Sequence, residues 1–134
     1  MSILDLGKAC TFSQMQLEIT YKGEPAPAAK VWRRVKWQKE KIDEFKTDEE
    51  GRVELPEIME RSVMQLLPSE FVVSQAIVVT YMDEEYKIWV NSKRSPEKNS
   101  ELDGSDIHLK CELTDERRLV SDYESDFLTS CEII

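Results

Sequence analysis

The chain has 134 residues, 40% hydrophobic and 34% charged, which fits one globular domain able to bury a core of its own. Its net charge of −9 argues against nucleic acid as the main partner, because phosphate binding draws on clustered Lys and Arg, and favours a basic protein instead. The start, Met1 to Lys8, lacks the basic and apolar regions of a secretory signal, and no apolar run approaches the ~20 residues of a membrane helix.

The three cysteines, Cys10, Cys111 and Cys131, are odd in number and widely spaced, so they present neither a disulfide framework nor a zinc pattern. A reduced, cytoplasmic protein is the expectation. Residues 1–12 read as a lead-in, 13–114 as the folded domain and 115–134 as an acidic tail. In the domain, Met15, Leu17, Ile19 and Tyr21 alternate with polar residues as in a half-buried strand. Lys22 to Pro25 forms a turn, and Pro25 and Pro27 keep the following stretch extended.

Ala29 to Trp37 is the second strand, with Val31, Val35 and Trp37 on one face and Lys30, Trp32, Arg34 and Lys36 on the other. Arg33 falls on the apolar face, which a bulge or a reach to the sheet edge would resolve. Glu40 to Lys46 is polar enough for an edge strand, and Asp48-Glu49-Glu50-Gly51 reads as a hairpin turn into Val53 and Leu55. From Glu57 to Leu67, apolar residues at 59, 63, 66 and 67 predict a short helix.

Phe71 to Tyr81 is the most apolar run and predicts a central strand, turned back by Met82-Asp83-Glu84-Glu85 into a second one over Tyr86 to Val90. Residues 91–105 read as a solvated loop, and Ile107, Leu109, Cys111 and Leu113 alternate as a last strand. The fold class is all-β: a small antiparallel sandwich of about seven strands with one short helix.

The series Gly23, Pro25, Ala29 and Val31, followed by Thr47, Asp48, Gly51 and Arg52, resembles the pattern of carboxypeptidase-regulatory-like, or transthyretin-like, sandwiches. The resemblance covers about residues 13–56 and implies a prealbumin-like fold module; no functional residue of that group maps onto this chain. In feel, the whole chain is also similar to uncharacterised bacterial domains built on the same pattern.

Catalytic constellations are sparse. The one histidine, His108, lies three residues from Cys111, a spacing that puts the two on opposite faces of a strand. The acidic runs lack the alternating ligand spacing of a calcium loop, and no glycine-rich phosphate cradle is present. No enzyme activity, metal or cofactor is expected, and Cys111 reads as a small buried hydrophobe.

The charge map is uneven. Lys30, Arg33, Arg34, Lys36, Lys39 and Lys41 form a basic ribbon interrupted by Glu40 alone, with Trp32 inside it. Trp32 beside Arg34 has the composition of an interface hot spot, and equally of a tryptophan laid over Lys and Arg stems.

The expected role is a non-enzymatic protein-binding module, most specifically an immunity-type bacterial protein that neutralises a cognate toxin. Its contacts would be Trp32 and Arg34, the acidic turns (Asp48, Glu49, Glu50, Asp83, Glu84, Glu85) or the tail (Asp122, Glu124, Asp126). The alternatives are an adaptor of a secretion or phage-like assembly that uses an exposed strand edge, or a ligand-binding sandwich with a cavity lined by residues such as Trp37, Val79 and Trp89.

Overall fold

The computed structural model describes residues 8–61 and 71–134. Thirteen strands are present among them: β1 (Lys8–Phe12), β2 (Met15–Tyr21), β3 (Glu24–Pro25), β4 (Lys30–Lys36), β5 (Glu40–Lys46), β6 (Arg52–Leu55), β7 (Ile58–Arg61), β8 (Val73–Tyr81), β9 (Glu84–Lys93), β10 (Ile107–Glu112), β11 (Arg118–Val120), β12 (Phe127–Thr129) and β13 (Cys131–Ile133). They form a β-sandwich. One sheet has the order β11-β12-β9-β8-β4-β5; the other runs β13-β10-β2-β3, with β6 also on β2; β1 and β7 pair separately.

The alternation read from the sequence decides which side chains enter the core. Met15, Leu17 and Ile19 of β2 and Ile107, Leu109 and Cys111 of β10 meet Val31, Val35, Ile77, Val79 and Trp89 of the larger sheet in one buried cluster. Trp89 stacks on Phe127 with ring centroids 4.5 Å apart and donates its Nε1–H to Gln75 Oε1 at 3.1 Å.

Several expectations are corrected. The strands number more than seven because segments read as lead-in, helix and tail each contribute short ones. β1 begins at Lys8, and Ile58–Arg61, where the helix was expected to start, is a strand paired antiparallel with β1. The rest of the expected helix, beyond Arg61, lies outside the described residues up to 70. β10 is not the last strand, and it runs parallel to β2. Asp48–Gly51 closes no hairpin: β5 belongs to the larger sheet and β6 to the smaller, so this turn carries the chain between layers.

Arg33 needs no bulge, since β4 keeps continuous register with β5 and β8. Its side chain is buried with the guanidinium between the rings of Phe12 (4.8 Å) and Phe45 (5.0 Å). There it donates from Nε (3.2 Å) and Nη2 (2.8 Å) to Asp43 Oδ2, and from Nη1 to the Pro56 carbonyl.

The odd cysteine count conceals a pair: Cys111 and Cys131 sit opposite each other on β10 and β13 and form a disulfide, leaving Cys10 free and buried. Twenty residues of separation hide such a bond from sequence spacing, because strand register creates the proximity.

Candidate protein interface

Strand register gathers three acidic segments at one end of the sandwich. Lys30 pairs with both Lys46 and Thr80, and Thr80 with Glu85, so the Asp48–Gly51 turn and the β8–β9 turn leave the larger sheet at the same end. In the smaller sheet Glu112 pairs with Thr20 and Arg52 with Glu18, which brings the loop after β10, with Asp115 and Glu116, to that end as well. Tyr21 and Tyr81 meet edge to face at 5.5 Å between the layers there.

The acidic residues at this end divide by role. Asp48 builds its own turn, Oδ1 accepting the N–H of Glu50 and of Arg52 at 2.9 Å each. Glu50 pairs with Arg52 at 3.0 Å, and Glu84 accepts from Tyr86 Oη at 3.0 Å. Glu112 locks the end in place. Its carboxylate accepts from the backbone N–H groups of Lys22, Gly23 and Thr114 and from the hydroxyls of Thr20 and Thr114. Desolvation raises the pKa of this carboxyl, but the hydrogen bonds from Thr114, Gly23 and Lys22 prevail and hold it at about 2.

The remaining candidate residues lie elsewhere. Trp32 and Arg34 sit on the outer face of the larger sheet; Trp32 is half-buried and donates its Nε1–H to Thr80 Oγ1 at 3.2 Å, and Arg34 pairs with Glu40 at 2.9 Å. Arg34 belongs to a row running straight across the sheet, Leu119–Leu128–Val90–Ala76–Arg34–Ile42. Leu119 and Ile42 in that row are 62% and 58% exposed. Sequence reasoning missed this row, because Leu119 and Leu128 come from the segment read as a tail.

Asp122, Glu124 and Asp126 lie in the β11–β12 loop, at the opposite end from the acidic turns, where the Glu124 N–H meets Asp103 Oδ1 at 3.1 Å. The expected site therefore divides among three surfaces.

Two charged residues in the segment read as a solvated loop are internal. Lys93 and Glu101 are both fully buried, with Lys93 Nζ donating to the carbonyls of Ser95 (2.5 Å) and Glu97 (2.6 Å) and lying 4.0 Å from Glu101 Oε1. Glu101 also accepts from the N–H and hydroxyl of Ser13 and from Gln75 Nε2. Burial pushes the Lys93 ammonium below its ordinary pKa, against the opposing pull of Glu101.

His108 and Cys111 lie on opposite faces of β10, His108 toward a surface groove beside Gln16 and Cys111 in the core. Among the described residues no group of three or more His, Cys, Asp or Glu is arranged to hold a metal ion, and no helix is long and apolar enough to cross a membrane.

The architecture is thus a β-sandwich with one acidic end. The chain belongs to the family described as a domain of unknown function (DUF6795), whose model matches residues 15–116. β1 and β11 to β13 lie outside the matched stretch. No curated protein and no solved structure matches the chain.

Proposed function

We propose that the chain is a non-enzymatic protein-binding module, and specifically an immunity-type protein that neutralises a basic bacterial toxin domain by docking its acidic end against it. One observation carries this reading: Glu49 and Glu50, Glu84 and Glu85, and Asp115 and Glu116 come from separate segments of the chain yet share one end of the molecule. Clustered carboxylates on a rigid β framework steer and orient a cationic partner. We also read the Gly23–Val31 and Thr47–Arg52 pattern as a likeness to transthyretin-like sandwiches in how the first turns are built. In support, Thr47 Oγ1 accepts from the Ala29 N–H (2.8 Å) and donates to the Ala26 carbonyl (2.6 Å).

The adaptor reading draws on a different feature, the exposed Leu119, Leu128 and Ile42 in the row across the larger sheet, since exposed apolar side chains on one face are the kind of feature that marks association. The ligand-cavity reading draws on less: Val79 and Trp89 are fully buried in the packed core, and Trp37 packs edge to face on Phe71. As to compartment, a disulfide between Cys111 and Cys131 favours an oxidising location over the reduced cytoplasm.

The test is co-expression with the product of the adjacent gene, followed by size-exclusion chromatography with light scattering. A stable heterocomplex that relieves the neighbour's toxicity supports the immunity reading. A harmless neighbour that still binds favours the adaptor.

A further inference from the structure

β9 has ten residues and pairs with β8 along its whole length, yet on its other side β12 covers only Trp89 to Asn91. After Thr129 the chain leaves the larger sheet: Ser130 N–H meets the Ile88 carbonyl at 3.3 Å, and Cys131 already belongs to the smaller sheet. Among the described residues no strand pairs with Glu84 to Lys87 on that side.

The turn preceding this stretch sets which main-chain groups face outward. Met82 (φ 51°) and Asp83 (φ 64°) both take left-handed conformations, as in a two-residue type I′ turn. In that turn the flanking residues, Tyr81 and Glu84, form the hydrogen-bonded pair. Strict alternation then points the N–H and C=O of Glu85 away from β8. An open groove of about 770 Å³ is lined by Glu85, Tyr86 and Lys87 of this stretch together with Asp115, Glu116 and Leu128.

We infer that the open half of β9 is a strand-addition site for an extended segment of a partner protein in which basic and apolar residues alternate. An unpaired edge is a template for an incoming strand, with main-chain bonds supplying affinity and alternate side chains supplying selectivity. The four residues Glu84 to Lys87 span about 13 Å, room for a short extended segment. Its apolar side chains meet Tyr86 and the exposed Leu128; its cations meet Glu85, Asp115 and Glu116, which outnumber Lys87 and Arg117 on this groove. The inference rests on the reading of the acidic end as the docking surface and adds how the partner engages it.

The test titrates the isotope-labelled full chain with the peptide Lys-Val-Lys-Val-Lys-Val-Lys, its analogue N-methylated at alternate residues, and a Glu-Val counterpart, following backbone amides by NMR. Strand addition predicts saturable shifts centred on Glu84 to Lys87, slowed exchange of the Glu85 N–H, and binding weakened about tenfold or more by N-methylation, which removes main-chain donors but no charge. Equal binding of the N-methylated peptide overturns strand addition while leaving an acidic docking end in place. Absence of binding, equal binding of the Glu-Val peptide, or shifts confined to another face also overturns it. The parent reading fails separately, if charge reversal at the acidic end leaves a full-length heterocomplex intact.

Discussion

Lys93 Nζ lies 4.0 Å from Glu101 Oε1, and neither side chain reaches solvent. The pair joins β9 to the 3-10 turn at Ser100–Leu102, and through Ser13 and Gln75 to the loop before β2 and to β8. Such a pair is worth little against an apolar replacement of both members but costs heavily when one member is removed, because the other charge stays buried and unpaired. Lys93→Met should therefore lower unfolding stability by about 3–5 kcal/mol, read from urea denaturation. Glu101→Gln keeps an acceptor for Ser13 but leaves the Lys93 ammonium buried without its counter-ion, so it too should be destabilising. A loss below about 1 kcal/mol for Lys93→Met, the size expected of an exposed pair, would contradict the buried geometry.

Gly51 and Gly23 both hold positive φ, +77° and +83°, but their surroundings differ. A Cβ on Gly51 would lie 2.3 Å from the Ile19 carbonyl oxygen, whereas one on Gly23 meets nothing within 4 Å. Both alanine variants bear the left-handed backbone penalty of about 1 kcal/mol. Gly51→Ala adds a backbone clash and should be the more damaging by about 1–3 kcal/mol in thermal or urea unfolding, owing to the steric overlap. Equal losses at the two sites would refute this account of the layer-crossing turn.

Glu112 makes a pH prediction. Its folded pKa of about 2 lies below the ordinary 4.5, so its hydrogen bonds add stability that is fully present above pH 4.5 and lost as pH falls through about 2. Glu112→Gln should flatten the stability profile across that window and leave the slope above pH 5 unchanged. NMR titration of the Glu112 carboxyl checks the same point; an unshifted midpoint near 4.5 would contradict the hydrogen-bonding pattern.

The disulfide predicts thiol counts. Unfolded without reductant, the chain should expose one reactive thiol, Cys10, and after reduction three. Replacing Cys111 and Cys131 together with serine should cost about 3 kcal/mol in oxidising buffer, the loop-closure value for a separation near 20 residues. Three thiols in the unreduced chain would contradict the pairing.

Period-two alternation made β2, β4 and β10 legible where Met15–Tyr21, Ala29–Trp37 and Ile107–Leu113 place them, and the apolar Val/Ile run of Phe71–Tyr81 marked β8. Less visible were elements whose identity is set by their partners. Ile58–Arg61 carries two adjacent apolar residues that fit either period, and pairing with β1 makes it a strand. Leu119, Leu128 and Cys131 sit in a polar, acidic segment whose strands are three residues long, too short for alternation to register.

The candidate site was legible in composition but not in place. The acidic turns are plain in the sequence, whereas the sharing of one end by two of them and the separation of the tail carboxylates follow from strand direction. Lys93 reads as solvated until its partner, Glu101, is brought beside it by the fold. Arg33, in contrast, lies on the apolar face as its register implies, with Asp43 rather than a bulge resolving the conflict.

The most direct test of the acidic docking end is the heterocomplex with the neighbouring gene product, measured by light scattering for the natural chain and for a Glu49→Lys, Glu84→Lys, Glu116→Lys variant whose fold is verified by its unfolding midpoint. These residues are exposed, so the variant should fold normally while the complex is lost, and toxicity should return with it. A folded variant that still holds its partner with unchanged affinity would contradict the account.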